Sequence, residues 1–124
     1  MKTRVAEPLD ELSVSARSLK PGVRVTSPHS LHLTLATLYL QLPGCRSLKE
    51  KRGRLAPLLA GLRRKFALAA AEVDAQDAWS SSVVACAVVS TDVTHNQRVL
   101  QAALEWIQSH QTDVEVSSTT VEER

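Results

Sequence analysis

Between Leu31 and Leu42 a leucine stands at every second position, with one change of phase. Such alternation sorts side chains onto the two sides of an extended chain, and an α-helix cannot sort them. Leu31, Leu33 and Leu35 share one side; Leu38, Leu40 and Leu42 share the other. The second set is assigned to the core, which leaves Thr37, Tyr39 and Gln41 on the open face. Either a bulge near Ala36 or partial cover of the second face accounts for the switch.

Pro43-Gly44 ends the strand, and Ser47-Leu48-Lys49-Glu50 has the form of a capping box. From there Leu48, Leu55, Leu59, Leu62 and Phe66 fall in a narrow arc at about 100° per residue, predicting a helix to about Phe66. Pro57 lies nearly opposite that arc, four residues after Gly53, so one bent helix is expected rather than two. Ala67–Val73 reads as a short strand and Asp74–Ser82 as a polar turn. Val83–Val89 is nearly continuous in apolar residues, as a central strand would be. Ser90, Thr91 and Asp92 supply N-caps for a second helix ending near His110, with Val93, Leu100, Ala103, Leu104 and Ile107 facing inward. Alternation returns over Asp113–Val121. The order β-α-β-β-α-β predicts an α+β, ferredoxin-like fold: a four-stranded sheet of antiparallel type with both helices on one face.

The chain has 124 residues, which suits one domain, placed at residues 31–121. Residues 1–30 hold Pro8, Pro21 and Pro28, many Ser and Thr, and no sustained apolar period. They read as a flexible extension, or as the product of a start placed too far upstream. Residues 122–124 read as a tail. Aromatics are 3% of the chain, so Leu, Val and Ala must build the core. No apolar run approaches the ~20 residues of a membrane span, and no secretory leader is visible, so a cytoplasmic protein without membrane contact is expected. Cys45 and Cys86 form no C-x-x-C pair and lack a histidine cluster; free thiols and no metal or other cofactor are expected.

The net charge of +2 conceals an asymmetry. Residues 31–66 carry eight Lys/Arg against Glu50 alone, and residues 67–124 carry nine acids against two Arg. Arg46, Lys49, Lys51, Arg52 and Arg54 crowd the start of the first helix, and Arg63, Arg64 and Lys65 its end. A helix N-terminus offers free N–H groups to an anion, with Ser47 as cap or extra donor. The two basic groups, about 13 Å apart, suit two or three backbone phosphates. A solvated charged face that offsets the acidic half is the competing reading. An RNA platform on the open sheet face needs stacking aromatics, and only Tyr39 qualifies.

Glu72, Asp74, Gln76 and Asp77 form a second polar cluster, able to bind a hard cation or to serve as acid and base. Their spacing matches no calcium loop, and no nucleophile or histidine is near. A polar turn, or a patch for the basic helix of a neighbouring copy, are the alternatives. Trp106 falls off the inward stripe of its helix and would anchor a partner or pack on the first helix or the N-terminal extension. Trp79 reads as a lid over one end of the core. No catalytic constellation and no small-molecule substrate emerge.

Ser47-Leu48-Lys49-Glu50-Lys51-Arg52, Ala71-Glu72-Val73-Asp74-Ala75-Gln76-Asp77-Ala78-Trp79 and Ala87-Val88-Val89-Ser90 resemble the YlxP-like bacterial family, a domain of unknown function, over about residues 33–121. Gly53, Pro57 and the N-terminal extension depart from its pattern. The resemblance implies a ferredoxin-like fold, and the position of some members among genes for translation initiation and ribosome maturation implies work near RNA or the ribosome. The function expected is a non-enzymatic RNA- or ribosome-associated module using the basic helix. A homo-oligomerising module, held by the acidic loop, the Trp106 flank or a strand edge, is the alternative. A carboxylate-dependent enzyme comes last.

Overall fold

The computed structural model describes Gly22 and residues 30–124. The six elements are β1 (His32–Gln41), α1 (Leu48–Lys65), β2 (Ala69–Asp74), β3 (Ser81–Ser90), α2 (Val93–His110) and β4 (Glu115–Glu123). The strands form one sheet in the order β2-β3-β1-β4, and every neighbouring pair is antiparallel. This is the expected ferredoxin-like α+β fold. Residues 1–30, read as an extension, lie outside the described residues apart from Gly22 and Ser30.

The change of phase in β1 has a simple outcome. The β1–β3 register runs unbroken from His32↔Ser90 to Gln41↔Ser81, so β1 contains no bulge. Ala36, Leu38, Leu40 and Leu42 are buried under the helices, and the same parity continues to a fully buried Thr34. Leu31, Leu33 and Leu35 therefore lie on the opposite face. The bulge is on β4, where the register slips between Tyr39 and Leu40 and the Ser117 hydroxyl donates to the Tyr39 carbonyl.

Thr34 occupies a core position because its hydroxyl is satisfied. It donates to Glu123 Oε1 at 2.6 Å and accepts from Asn96 Nδ2 at 3.1 Å. Asn96, wholly buried on α2, also donates to the His32 carbonyl and accepts from the Ser90 hydroxyl. One amide thus joins α2 to the two central strands. Asn96→Ala should cost about 2–3 kcal/mol in urea denaturation, because Thr34 and the His32 carbonyl lose a buried partner without solvent to replace it.

The remaining core is aliphatic: Leu55, Leu58 and Leu62 from α1, Val84 and Cys86 from β3, and Leu100, Ala103 and Ile107 from α2. α1 runs through Pro57 as one helix, with Pro57 exposed and open space beside Gly53. β4 reaches Glu123, and Arg124 exchanges two backbone hydrogen bonds with Leu33. Residues 122–124 are thus sheet edge and not the expected tail. Both thiols are buried and free; burial alone pushes Cys86 up to about 11, so it is protonated at neutral pH. No helix among the described residues is long and apolar enough to cross a membrane.

Candidate anion-binding surface on the first helix

Ser47 caps α1 from an extended backbone conformation, its hydroxyl accepting from the Glu50 N–H at 3.0 Å. Glu50 reaches back to the Arg46 N–H at 3.2 Å, one residue earlier than the usual reciprocal bond, and takes Arg54 Nη2 at 2.6 Å. Arg54 and the Arg46 N–H hold the Glu50 carboxyl below its ordinary value of 4.5. The folded value is the lower one, so this contribution is complete above 4.5 and fades as the pH falls through the folded value. Ser47→Ala should cost about 1 kcal/mol of stability, read from the urea midpoint.

The eight Lys and Arg grouped by charge in the sequence separate into two sets in space. Lys51 is not available to an external anion. It is 2% exposed, and its Nζ donates to the Ala75 carbonyl at 2.6 Å, the Ala78 carbonyl at 2.7 Å and Glu72 Oε2 at 2.8 Å. These three partners consume the three ammonium donors, with the Gln76 carbonyl farther away at 3.5 Å. Arg54 donates to the Pro43 and Asp113 carbonyls, tying the turn before α1 to the loop after α2. Arg63 donates twice to the Ala70 carbonyl on the edge strand β2. These cations hold the fold together.

Arg46, Lys49, Arg52, Arg64 and Lys65 form the second set. All five are exposed, and none is ion-paired to another described residue. Arg46, Lys49 and Arg52 cluster with Ser47 at the helix start; Arg64 and Lys65 mark its last turn. From Arg52 to Arg64 the helix rises about 18 Å. Small residues, Gly53, Ala56 and Ala60, occupy the outer surface between the clusters.

The acidic cluster does not converge. Glu72 is turned inward, bound by Lys51 and by the Ser82 hydroxyl at 2.6 Å. Asp74, Gln76 and Asp77 are exposed, and Asp74 accepts from the neighbouring Ala75 N–H. No group of three or more metal-ligating side chains occurs among the described residues. Trp79 is 54% exposed and so is no lid over the core. Trp106 lies against Gly61 of α1, edge-on to Phe66 at 5.9 Å and stacked on His110 at 6.3 Å. It joins the two helices and is not a free anchor for a partner.

The clamp of Lys51, Glu72 and Ser82 was not anticipated. Its signal is in the spacing: Lys51, Leu55, Leu58 and Leu62 follow one another at four, three and four residues, which places the lysine in the buried stripe. The clamp joins the segment around Lys51 to Glu72–Trp79, since the lysine of one closes the turn of the other.

No curated protein matches the chain. A family model, described as a protein of unknown function, DUF503, matches residues 33–121, which takes in every strand and both helices except the extreme end of β4 and His32. The chain belongs to the DUF503 family.

Proposed function

We propose that the domain is a binding module that holds the phosphate backbone of RNA along the outer surface of α1. The observation that carries this reading is the set of five exposed cations, Arg46, Lys49, Arg52, Arg64 and Lys65, without ionic partners among the described residues. Cations at the start of a helix oppose its dipole by about 0.3–1 kcal/mol each, a cost that a bound anion offsets. The helix start also presents backbone N–H groups beside them. Arg64 and Lys65 extend the cationic surface along the helix, so that the five cations reach about three to five phosphates in all. The resemblance to YlxP-like proteins, some of which lie among genes for translation initiation and ribosome maturation, supports RNA over a free anion. Base-specific stacking is not part of the reading, because Tyr39 alone represents the aromatics on the sheet's open face.

The test is fluorescence anisotropy with a labelled single-stranded RNA and with an RNA hairpin. Arg46→Ala, Lys49→Ala and Arg52→Ala together should weaken binding at least tenfold. Arg64→Ala and Lys65→Ala should add a smaller loss. Unchanged affinity in the five-site variant would overturn the reading. Lys51 must be left intact, since its loss would unfold the turn and confuse the result.

A further inference from the structure

Across β2, β3 and β1 the sheet face turned away from the helices is largely apolar and uncovered by any described residue, while β4 gives it a polar rim. Leu31, Leu33, Leu35 and Tyr39 stand along β1, with Val89 beside them on β3 at 62% exposure. Next to this ridge, Ala69, Ala71, Ala85 and Ala87 on β2 and β3 leave a shallow trough of about 300 Å³, floored by methyl groups and bounded by Leu35 and Val73. The cross-strand rows are Ala69–Ala87–Leu35 and Ala71–Ala85–Thr37, so large and small residues lie side by side on one surface. Charge lies along the β4 edge, where Glu122, opposite Leu35, pairs with Arg124 and Glu115 stands opposite Gln41, and at Asp74 on the β2 edge opposite Val83.

We propose that this face is a homodimer interface, with a second copy of the chain packed sheet to sheet. The surface carries both halves of its own complement. A two-fold axis running along the strands between β1 and β3 lays the β1 ridge of each copy over the alanine trough of the other, as an isologous contact requires. Small residues permit the close approach, and aligned sheets pack about 10 Å apart. The size is sufficient: four strands at about 4.8 Å and about eight residues at 3.3 Å give a footprint of roughly 500 Å² per copy, or about 1,000 Å² in all. That reaches the lower bound of specific interfaces, about 1,000–1,200 Å², while exposed apolar patches on monomers seldom exceed a few hundred. A face that is apolar at its centre, mainly acidic along its rim and furnished with one aromatic suits neither a phosphate backbone nor stacked bases. The dimer leaves both copies of α1 on the outside.

Sedimentation equilibrium of the full chain from roughly 1 to 300 µM tests the proposal. A dimer of twice the 13.5 kDa chain is expected. Ala87→Arg, in the middle of the trough, should raise the dimer dissociation constant at least a hundredfold without changing the far-ultraviolet circular dichroism. Ala71→Arg, on the exposed edge strand, should do the same, and stands in if Ala87→Arg does not fold. A monomer at every concentration overturns the proposal. So does a dimer that survives both arginines, or a monomer whose β1 and β3 open face is covered by its own residues 1–30. Affinity for an RNA too short to reach both copies of α1 should be unchanged in both variants, so failure here is separable from failure of the RNA reading.

Discussion

Lys51→Met should lower the stability of the domain by about 3–5 kcal/mol, a large part of the 5–15 kcal/mol available to a typical domain. The substitution keeps most of the side-chain length and apolar stem. It removes the ammonium group that satisfies the Ala75 and Ala78 carbonyls and faces Glu72 at 2.8 Å. Two carbonyls and a carboxylate are then left without their buried donor, and the turn between β2 and β3 loses its attachment to α1. Ala75 occupies the left-handed region, at φ 58°, to form this turn, so the conformation is one that requires support. Urea denaturation followed by circular dichroism should show the midpoint falling by about 2 M if the slope is near 2 kcal/mol/M. Glu72→Gln should cost less, since the amide oxygen still accepts from Lys51 and only the charge is lost. If Lys51→Met and Glu72→Gln were equally mild, the clamp would not hold the turn.

Gly61→Leu should cost at least 3 kcal/mol, and Gly61→Ala about 1–3 kcal/mol, despite alanine's better helix propensity. A Cβ built on Gly61 overlaps the six-membered ring of Trp106, so even the smallest side chain forces the indole, and with it α2, to move. The rigid ring also packs on Phe66, which limits its escape. In a Trp106→Ala background the obstacle is gone. There Gly61→Ala should become stabilising by up to about 1 kcal/mol, the usual helix preference for alanine over glycine. This reversal of sign separates a steric contact from a mere effect on helix propensity. Additive effects of the two substitutions would mean that the glycine is not there for the tryptophan.

The order of elements and the inward stripes are legible because β1 alternates with a period of two, β3 is a continuous apolar run, and α1 and α2 follow a period near 3.6. The Ser47 cap was legible for a similar reason: its geometry is local, set within four residues. What escaped depended on distant partners. Thr34 holds the polar position between Leu33 and Leu35, and only the position of Asn96, 62 residues later, reveals that its hydroxyl is welcome in the core. Lys51 looked like one more cation beside Lys49 and Arg52. Its burial is determined by carbonyls 24 and 27 residues away. Arg63 belongs by sequence to the basic group at the helix end, although the edge carbonyl of Ala70 holds it. Charge counted along the chain cannot distinguish these three roles, so the expected basic surface was larger than the exposed one. The uncovered apolar face was half legible. The leucines at 31, 33 and 35 implied a second apolar side, but its breadth emerged only once β2 and β3 placed their alanines alongside.

The exposed cations of α1 and the apolar sheet face lie on opposite sides of the domain. A dimer formed through the second would present two copies of the first, and a long RNA engaging both would bind more tightly than either site alone.

The salt dependence of RNA binding tests the central claim most directly. With three to five phosphates neutralised on single-stranded RNA, the logarithm of the association constant should fall against the logarithm of salt with a slope of about −2 to −3.5. The Arg46/Lys49/Arg52→Ala variant should flatten that slope by about 2 while its urea midpoint stays near that of the parent chain. A slope near zero, or one unchanged by the three substitutions, would contradict the assignment of α1 as the RNA-binding surface.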